Sequence, residues 1–174
     1  MRVVTIMSET AKKLKIIISA LIIVFAAGIL CTLFLPYVVG GHKNGTVYAG
    51  PFLYGFELLS GKGKTYGLEP YMPVGIALAI LLIFMTVLQF AKLHFSRLKV
   101  FVVIIAVAAG CLIAAALYML IELKPNYYPL GFSHSAYGIG TILNFVCSVL
   151  ASIGVIANIV ISIGHGDVVT DRGK

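Results

Sequence analysis

Tryptophan is absent from this chain, and charged side chains are scarce. Only 11% of the 174 residues are Asp, Glu, Lys or Arg, whereas 60% are hydrophobic and the mean hydropathy is +1.06. A soluble domain carries about 25% charged residues, so this composition excludes a soluble globular protein and predicts a membrane protein. No polar stretch is long enough to fold separately. We therefore expect a single transmembrane domain over residues 1–174.

Charged and histidine side chains are missing from the interior of four long apolar runs, at about 14–39, 73–93, 99–121 and 136–163. A helix of about 20 residues crosses a hydrocarbon core of about 30 Å, so each run predicts one membrane span. The fold class we expect is all-α, an integral membrane four-helix bundle with outer loops at about 40–72 and 122–135. Intramembrane charges mark proton relays, ion paths and voltage sensors, and their absence argues against those functions.

Groups suited to catalysis or metal binding are equally sparse. Cys31, Cys111 and Cys147 all lie within predicted spans, without a Cys-x-x-Cys spacing. A thiol among apolar side chains is inert, which favours packing roles over a quinone-linked thiol pair. The four histidines lie in loops or at span ends without ligand spacing. With no acid–base or nucleophilic pair in reach of one another, we expect no enzymatic activity, no cofactor and no metal.

The basic residues predict the orientation of the chain in the membrane. Nine of the 13 Lys and Arg residues flank the two termini and the short second connection, and four fall in the outer loops. The positive-inside rule then places both termini in the cytoplasm. We expect the basic inner face to attract anionic lipid, and we expect no nucleic-acid partner, since a high pI alone does not indicate one.

The first outer loop is the only connection large enough to hold a structure of its own. All nine tyrosines fall at or near the outer boundary in this topology, which predicts interfacial anchors for them. Within the loop, 47–49 could form a short strand, and 51–59 is a compact apolar stretch that we expect on the membrane. Loops carry function more often than the elements they connect. We therefore expect outer-loop contacts to use Tyr54, Phe56 and Glu57.

Two faces of the predicted helices are suited to close packing. Small residues repeat every four positions on the third span, at Ala106, Gly110 and Ala114, a ridge that lets another backbone approach. The fourth span carries a polar and small stripe of Asn144, Ser148, Ala151, Asn158 and Ser162. Asparagine in hydrocarbon needs a hydrogen-bond partner. This stripe is therefore predicted to point into the bundle or toward another protein, with a polar pore lining as the alternative.

Three short motifs carry a family resemblance. They are Leu35-Pro36-Tyr37 at the end of the first span, the segment from Gly55 to Gly61 in the outer loop, and Gly138-x-Gly140 at the start of the last span. With them, the chain resembles uncharacterised small four-span membrane proteins of Gram-positive bacteria. The resemblance implies the four-span layout in a bacterial plasma membrane and implies no reaction. Claudin-type tetraspans have a similar layout, but this chain lacks their Trp and paired loop cysteines.

These observations favour a protein that works by contact. The hypothesis is a non-catalytic accessory or scaffold subunit that meets other membrane subunits, or its own copies, through the fourth span and the outer loops. The alternative is a small homo-oligomeric transporter or channel, in which the face of Asn144, Ser148, Asn158 and Ser162 lines the path.

Overall fold

The computed structural model describes residues 9–41, 48–59, 71–90, 99–123 and 134–164. In these residues four helices are long and apolar enough to cross a membrane, over Glu9–Phe34, Met72–Gln89, Phe101–Ile121 and Ile139–Ile163. By this length and composition the chain is an integral membrane protein. Helices are the expected form, because hydrocarbon offers no partner for an unpaired backbone group.

The helices and strands follow one another in the order α1, η1, β1, β2, α2, α3, α4, β3 and α5. The α-helices are α1 (Glu9–Cys31), α2 (Gly55–Leu59), α3 (Tyr71–Phe90), α4 (Lys99–Leu123) and α5 (Ile139–Gly164). A 3-10 helix, η1 (Thr32–Phe34), extends α1. The strands are β1 (Pro36–Gly41), β2 (Tyr48–Tyr54) and β3 (His134–Tyr137).

The first membrane helix ends earlier than its apolar run. The run predicts a span to about residue 39, whereas α1 ends at Cys31, η1 ends at Phe34, and a strand begins at Pro36. Proline disfavours helical backbone in the residue before it, and Leu35 accordingly has an extended conformation, with its N–H bonded to the Thr32 carbonyl. Hydropathy does not register this change, because the residues after Pro36 are still apolar.

A three-stranded antiparallel sheet lies at one end of the bundle, with strand order β2-β1-β3. The central strand β1 follows the first span directly, and β3 leads directly into α5. Pro51 lies in β2, an edge strand, where the missing N–H is tolerated. The expected strand at 47–49 is thus part of a larger sheet that the all-α class omits. We call this side of the molecule the sheet end.

The four long helices form a ring in which each packs on two neighbours. Helix α1 packs on α3 and α5, and α4 packs on the same two helices. The α1–α5 contact is close, since a Cβ added to Gly28 would lie 3.0 Å from Cys147 Sγ, and one added to Gly154 would lie 2.8 Å from Ile22 Cγ1. Apolar side chains from all four helices fill the centre of the ring. The four-span helical layout is confirmed.

Candidate functional site

The polar stripe of α5 is the most distinctive internal feature of the bundle. All five predicted members are buried: Asn144 (8% exposed), Ser148 (0%), Ala151 (0%), Asn158 (4%) and Ser162 (6%). The stripe faces the other helices of the same chain. Of the two orientations that the sequence left open, the structure has the one directed into the bundle.

At the sheet end, this stripe meets a fully buried tyrosine from β1. The Tyr37 hydroxyl lies 2.8 Å from Asn144 Nδ2 and 2.7 Å from Thr32 Oγ1, and Asn144 Nδ2 is 3.3 Å from the same Thr32 oxygen. Thr32 Oγ1 also donates to the Ile29 carbonyl, at 2.6 Å. We call Thr32, Tyr37 and Asn144 the tyrosine node. It joins α1, β1 and α5 through neutral hydrogen bonds.

Counting protons fixes the direction of each hydrogen bond in the node. A threonine hydroxyl has a single proton, and Thr32 gives it to the Ile29 carbonyl. Thr32 Oγ1 must therefore accept from Tyr37, whose oxygen in turn accepts from the Asn144 amide. The hydroxyl hydrogens of Thr32 and Tyr37 and one hydrogen of the Asn144 amide each have an acceptor in this apolar setting, which offsets part of the cost of taking these groups out of water.

Glycines leave the space that the tyrosine ring occupies. A Cβ added to Gly55 would lie 2.8 Å from Tyr37 Cε2, and one added to Gly140 would lie 2.8 Å from Tyr37 Cδ2. A Cβ on Gly138 would collide with the Pro36 carbonyl oxygen. Gly55 and Gly140, from two separate short motifs of the sequence, therefore both border the ring of Tyr37.

Backbone contacts complete the junction around the node. The Gly138 N–H donates to the Tyr37 carbonyl at 2.8 Å, and Thr141 Oγ1 donates to the same oxygen at 2.8 Å. The first turn of α5 is thus fixed to β1. On the neighbouring strand, the Tyr137 hydroxyl donates to the Leu120 carbonyl, which connects β3 to α4. The sheet is therefore attached to the bundle at several points.

Two further polar contacts hold α5 along its length. Ser152 Oγ lies 3.0 Å from the Ala109 carbonyl of α4, and Asn158 Nδ2 donates to Ser19 Oγ of α1 at 2.8 Å. Ser148 instead bonds within its own helix, to the Asn144 carbonyl at 2.7 Å. Helix α5 therefore has polar contacts with both of its neighbours in the ring.

The expected role of an interfacial anchor is wrong for Tyr37. Its side chain is 0% exposed, and burial raises the pKa of its hydroxyl to about 12. Burial also raises the pKa of Tyr137. Desolvation disfavours the phenolate form. Both hydroxyls therefore stay protonated at physiological pH and act as hydrogen-bond donors.

The small-residue ridge of α4 is exposed on the outside of the bundle, whereas the polar stripe of α5 is buried inside it. Ala106, Gly110 and Ala114 are all exposed, and nothing lies within 4 Å of a Cβ added to Gly110. Among the described residues, this ridge is therefore not used for packing. Close helix packing occurs instead at Gly28 and Gly154, where a side chain of the facing helix occupies the space beside the glycine. A partner interface on the α4 ridge remains a prediction.

The three outer-loop residues lie at the start of α2. Tyr54 N donates to Glu57 Oε2 at 3.1 Å, so the glutamate satisfies a backbone donor at the helix start. The Tyr54 and Phe56 rings are stacked, with centroids 5.7 Å apart. Phe56 is 49% exposed. The loop side chains thus have a local structural role, and partner contact through them remains a prediction.

Thiols and metal-binding side chains add no second site in the described part of the chain. All three cysteines are free, with Cys31 and Cys111 exposed and Cys147 partly buried. Within the described ranges, no group of three His, Cys, Asp or Glu side chains is arranged to hold a metal. His42, His94 and His165 lie outside those ranges, as do most of the basic residues that predict the orientation.

Sequence reasoning found the α5 side of the tyrosine node and missed the partners of α5. Asn144 and Asn158 were identifiable because an amide in hydrocarbon needs a partner. The partners Ser19, Thr32 and Tyr37 are single polar residues in or beside apolar segments, and no spacing connects them to α5. A useful signal was available in the pairing of an isolated polar residue on the first span with each asparagine on the last.

No protein-family model matches this chain, and no curated protein matches its sequence.

Proposed function

We propose that this chain is a non-catalytic accessory or scaffold subunit of a larger membrane assembly. One observation carries the proposal: both asparagines on the polar face of α5 are hydrogen-bonded inside a single chain. Asn144 is bonded to Thr32 and Tyr37, and Asn158 is bonded to Ser19. Groups consumed in this way hold a bundle in one shape, which is what a scaffold requires. They are poorly placed to exchange ligands with a passing solute.

The polar face of the fourth span, α5, points into the bundle, so the partner surface in this proposal is the outward face of the third span, α4. The ridge of Ala106, Gly110 and Ala114 is a row of small side chains between larger outward side chains such as Val107, which is 58% exposed. Helices associate in lipid by close van der Waals packing on small residues of this kind. A transmembrane helix of another subunit is the proposed occupant.

Site-specific photocrosslinking in native membranes tests this surface. A photoreactive aliphatic residue at Val107 should capture another membrane protein, whereas the same probe at Val87 of α3, which is 48% exposed, should capture little. Gly110→Leu should abolish capture from position 107, because the bulky side chain in the middle of the row of small residues keeps another helix from approaching closely. Equal capture from positions 107 and 87, or capture unaffected by Gly110→Leu, would remove α4 as the partner surface.

The competing function, a homo-oligomeric channel or transporter, requires the α5 face to meet water. Replacing Asn144 and Asn158 by Leu removes the amides that would line such a path. In the scaffold proposal the double variant weakens the bundle and changes no flux. A loss of solute flux in liposomes by a variant that still assembles normally would favour the channel.

We also propose that this protein lies in a bacterial plasma membrane, with both termini in the cytoplasm and the basic face against anionic lipid. The distribution of Lys and Arg supports this orientation. The sheet end would then face outward. A reporter that is active only in the cytoplasm should be active when it is fused to the C-terminus. Activity of a reporter that requires export, fused at the same position, would reverse the orientation.

A further inference from the structure

Large apolar side chains point outward from the sheet end, beyond the last turn of α1. Phe34 of η1 is 74% exposed, Phe56 of α2 is 49% exposed, and Leu59 of α2 is 41% exposed. In the described part of the chain, much of the surface of these side chains is not covered by protein atoms. We call Phe34, Phe56 and Leu59 the interface seat.

Short contacts hold α2 against the end of the first span. The Gly55 N–H donates to the Leu35 carbonyl at 3.2 Å, and a Cβ added to Gly55 would lie only 2.7 Å from the Cα of Leu33. The Glu57 carboxylate accepts from Tyr54 N and closes the first turn. Helix α2 is therefore held against the end of the first span by its backbone, while Phe56 and Leu59 are exposed.

The two exposed residues of α2 share one side of the helix. Phe56 and Leu59 are three positions apart, a spacing that makes side chains neighbours on a helix surface. The Tyr54 ring stacks on Phe56 and widens this aromatic surface. A helix cannot bury its own apolar side, so this side must be covered by something outside the helix.

The position of the interface seat indicates what covers it. Phe34 is the last residue of the first candidate span, and α2 packs on both η1 and α3. The second candidate span begins at Met72, close to the start of α3, and its Val74 is 46% exposed. Because α2 packs on the end of one span and on the helix that carries the next, the interface seat lies where two spans leave the hydrocarbon.

We infer that the interface seat binds the membrane itself, at the boundary between acyl chains and headgroups of the leaflet on the sheet side. Amphipathic segments lie in this boundary with Phe and Leu side chains toward the acyl chains, and tyrosine, such as the Tyr54 that stacks on Phe56, is enriched there. The contact fixes the height of β2, which runs directly into α2, above the bilayer. This inference is independent of the proposed subunit function and assigns Phe56 to lipid in place of a protein partner.

The absence of native tryptophan gives a direct test. Phe56→Trp introduces a single tryptophan, which can be excited selectively over the nine tyrosines, into the full chain, which is then purified and reconstituted in liposomes. Lipids brominated near the headgroup should quench this tryptophan more strongly than lipids brominated in mid-chain, and aqueous iodide should quench it weakly. The matched control is Phe84→Trp on α3, which is 57% exposed and lies within a span. Its quenching should be strongest with mid-chain bromine.

Leu59→Trp repeats the measurement on the same side of α2, should Phe56→Trp fail to fold. Strong quenching by iodide without quenching by brominated lipid would place the interface seat in water and overturn the inference. A tryptophan shielded from both quenchers would show that protein covers the interface seat, and it would overturn the inference equally. The Phe84→Trp control separates either result from failed reconstitution.

Discussion

Removing one oxygen atom from the tyrosine node tests how the bundle is held together. In Tyr37→Phe the ring keeps its place between Gly55 and Gly140, so no cavity larger than a hydroxyl is created. The variant loses the bond donated to Thr32 and the bond accepted from Asn144, at 2.7 and 2.8 Å. The Asn144 amide is then left with its longer contact to Thr32, at 3.3 Å.

The expected cost follows from these contacts. A buried donor left without its acceptor costs about 1–3 kcal/mol in proteins generally, whereas hydrogen bonds in membrane proteins average about 0.6 kcal/mol and reach about 1.7 kcal/mol. The node is fully buried and loses two bonds, so we expect the free energy of unfolding to fall by about 1–2 kcal/mol. That change corresponds to a factor of about 5–30 in the unfolding equilibrium.

Steric trapping in bicelles measures this free energy, because binding of bulky tag ligands captures the unfolded chain. The matched control is Tyr54→Phe, which removes a hydroxyl from a half-buried tyrosine in the neighbouring strand β2 and should change stability by less than about 0.5 kcal/mol. Equal stabilities for the two variants would refute the node. So would an Asn144→Ala cost that is the same with Tyr37 and with Phe at position 37, since bonded residues must couple.

Three further predictions concern pH, backbone space and the second amide contact. The pKa of Tyr37 in the folded protein is about 12 against an ordinary 10.0. Its contribution to the free energy of unfolding is therefore fully present below pH 10 and is lost as the pH rises to 12. This loss, about 3 kcal/mol by linkage, should be missing in Tyr37→Phe when the free energy of unfolding is measured across that range. Gly138→Ala should destabilise the fold by more than about 2 kcal/mol because a strand carbonyl blocks the Cβ. Gly75→Ala, with open space around it, should be neutral or stabilising by up to about 1 kcal/mol, and equal thermal stability of the two alanine variants would contradict the close approach. A double-mutant cycle of Asn158→Ala and Ser19→Ala should give a coupling of about 0.5–1.5 kcal/mol, whereas additive effects would show that the 2.8 Å contact contributes nothing.

The sequence predicts the four spans of this protein because long apolar runs report directly on the solvent around them. It also predicts which side of α5 is buried, since an amide such as Asn144 cannot face hydrocarbon alone. The sheet escapes this reasoning. Strand β1 contains Tyr37, Val38 and Val39, which continue the apolar run of the helix before it, so hydropathy does not mark the boundary. The change depends on Pro36 and on pairing with distant strands.

The tyrosine node shows the same limit at the level of a site. Tyr37 has the residue type and the sequence position expected of an interfacial anchor. Its burial depends on space left by Gly55 and Gly140, which lie far from it and from each other in sequence. Such convergence is a property of the fold. The outward position of the Gly110 ridge is likewise set by which neighbours α4 has, because its small residues alone suit either an internal or an external contact.

The most direct test of the proposed function is the composition of the native particle. Gentle extraction from native membranes, native sizing and mass spectrometry of the purified material identify what this chain binds. A scaffold or accessory subunit should be recovered in constant ratio with other membrane proteins, in a particle larger than its own oligomer. Recovery of a defined oligomer of this chain alone, active in solute flux after reconstitution in liposomes, would contradict the proposal.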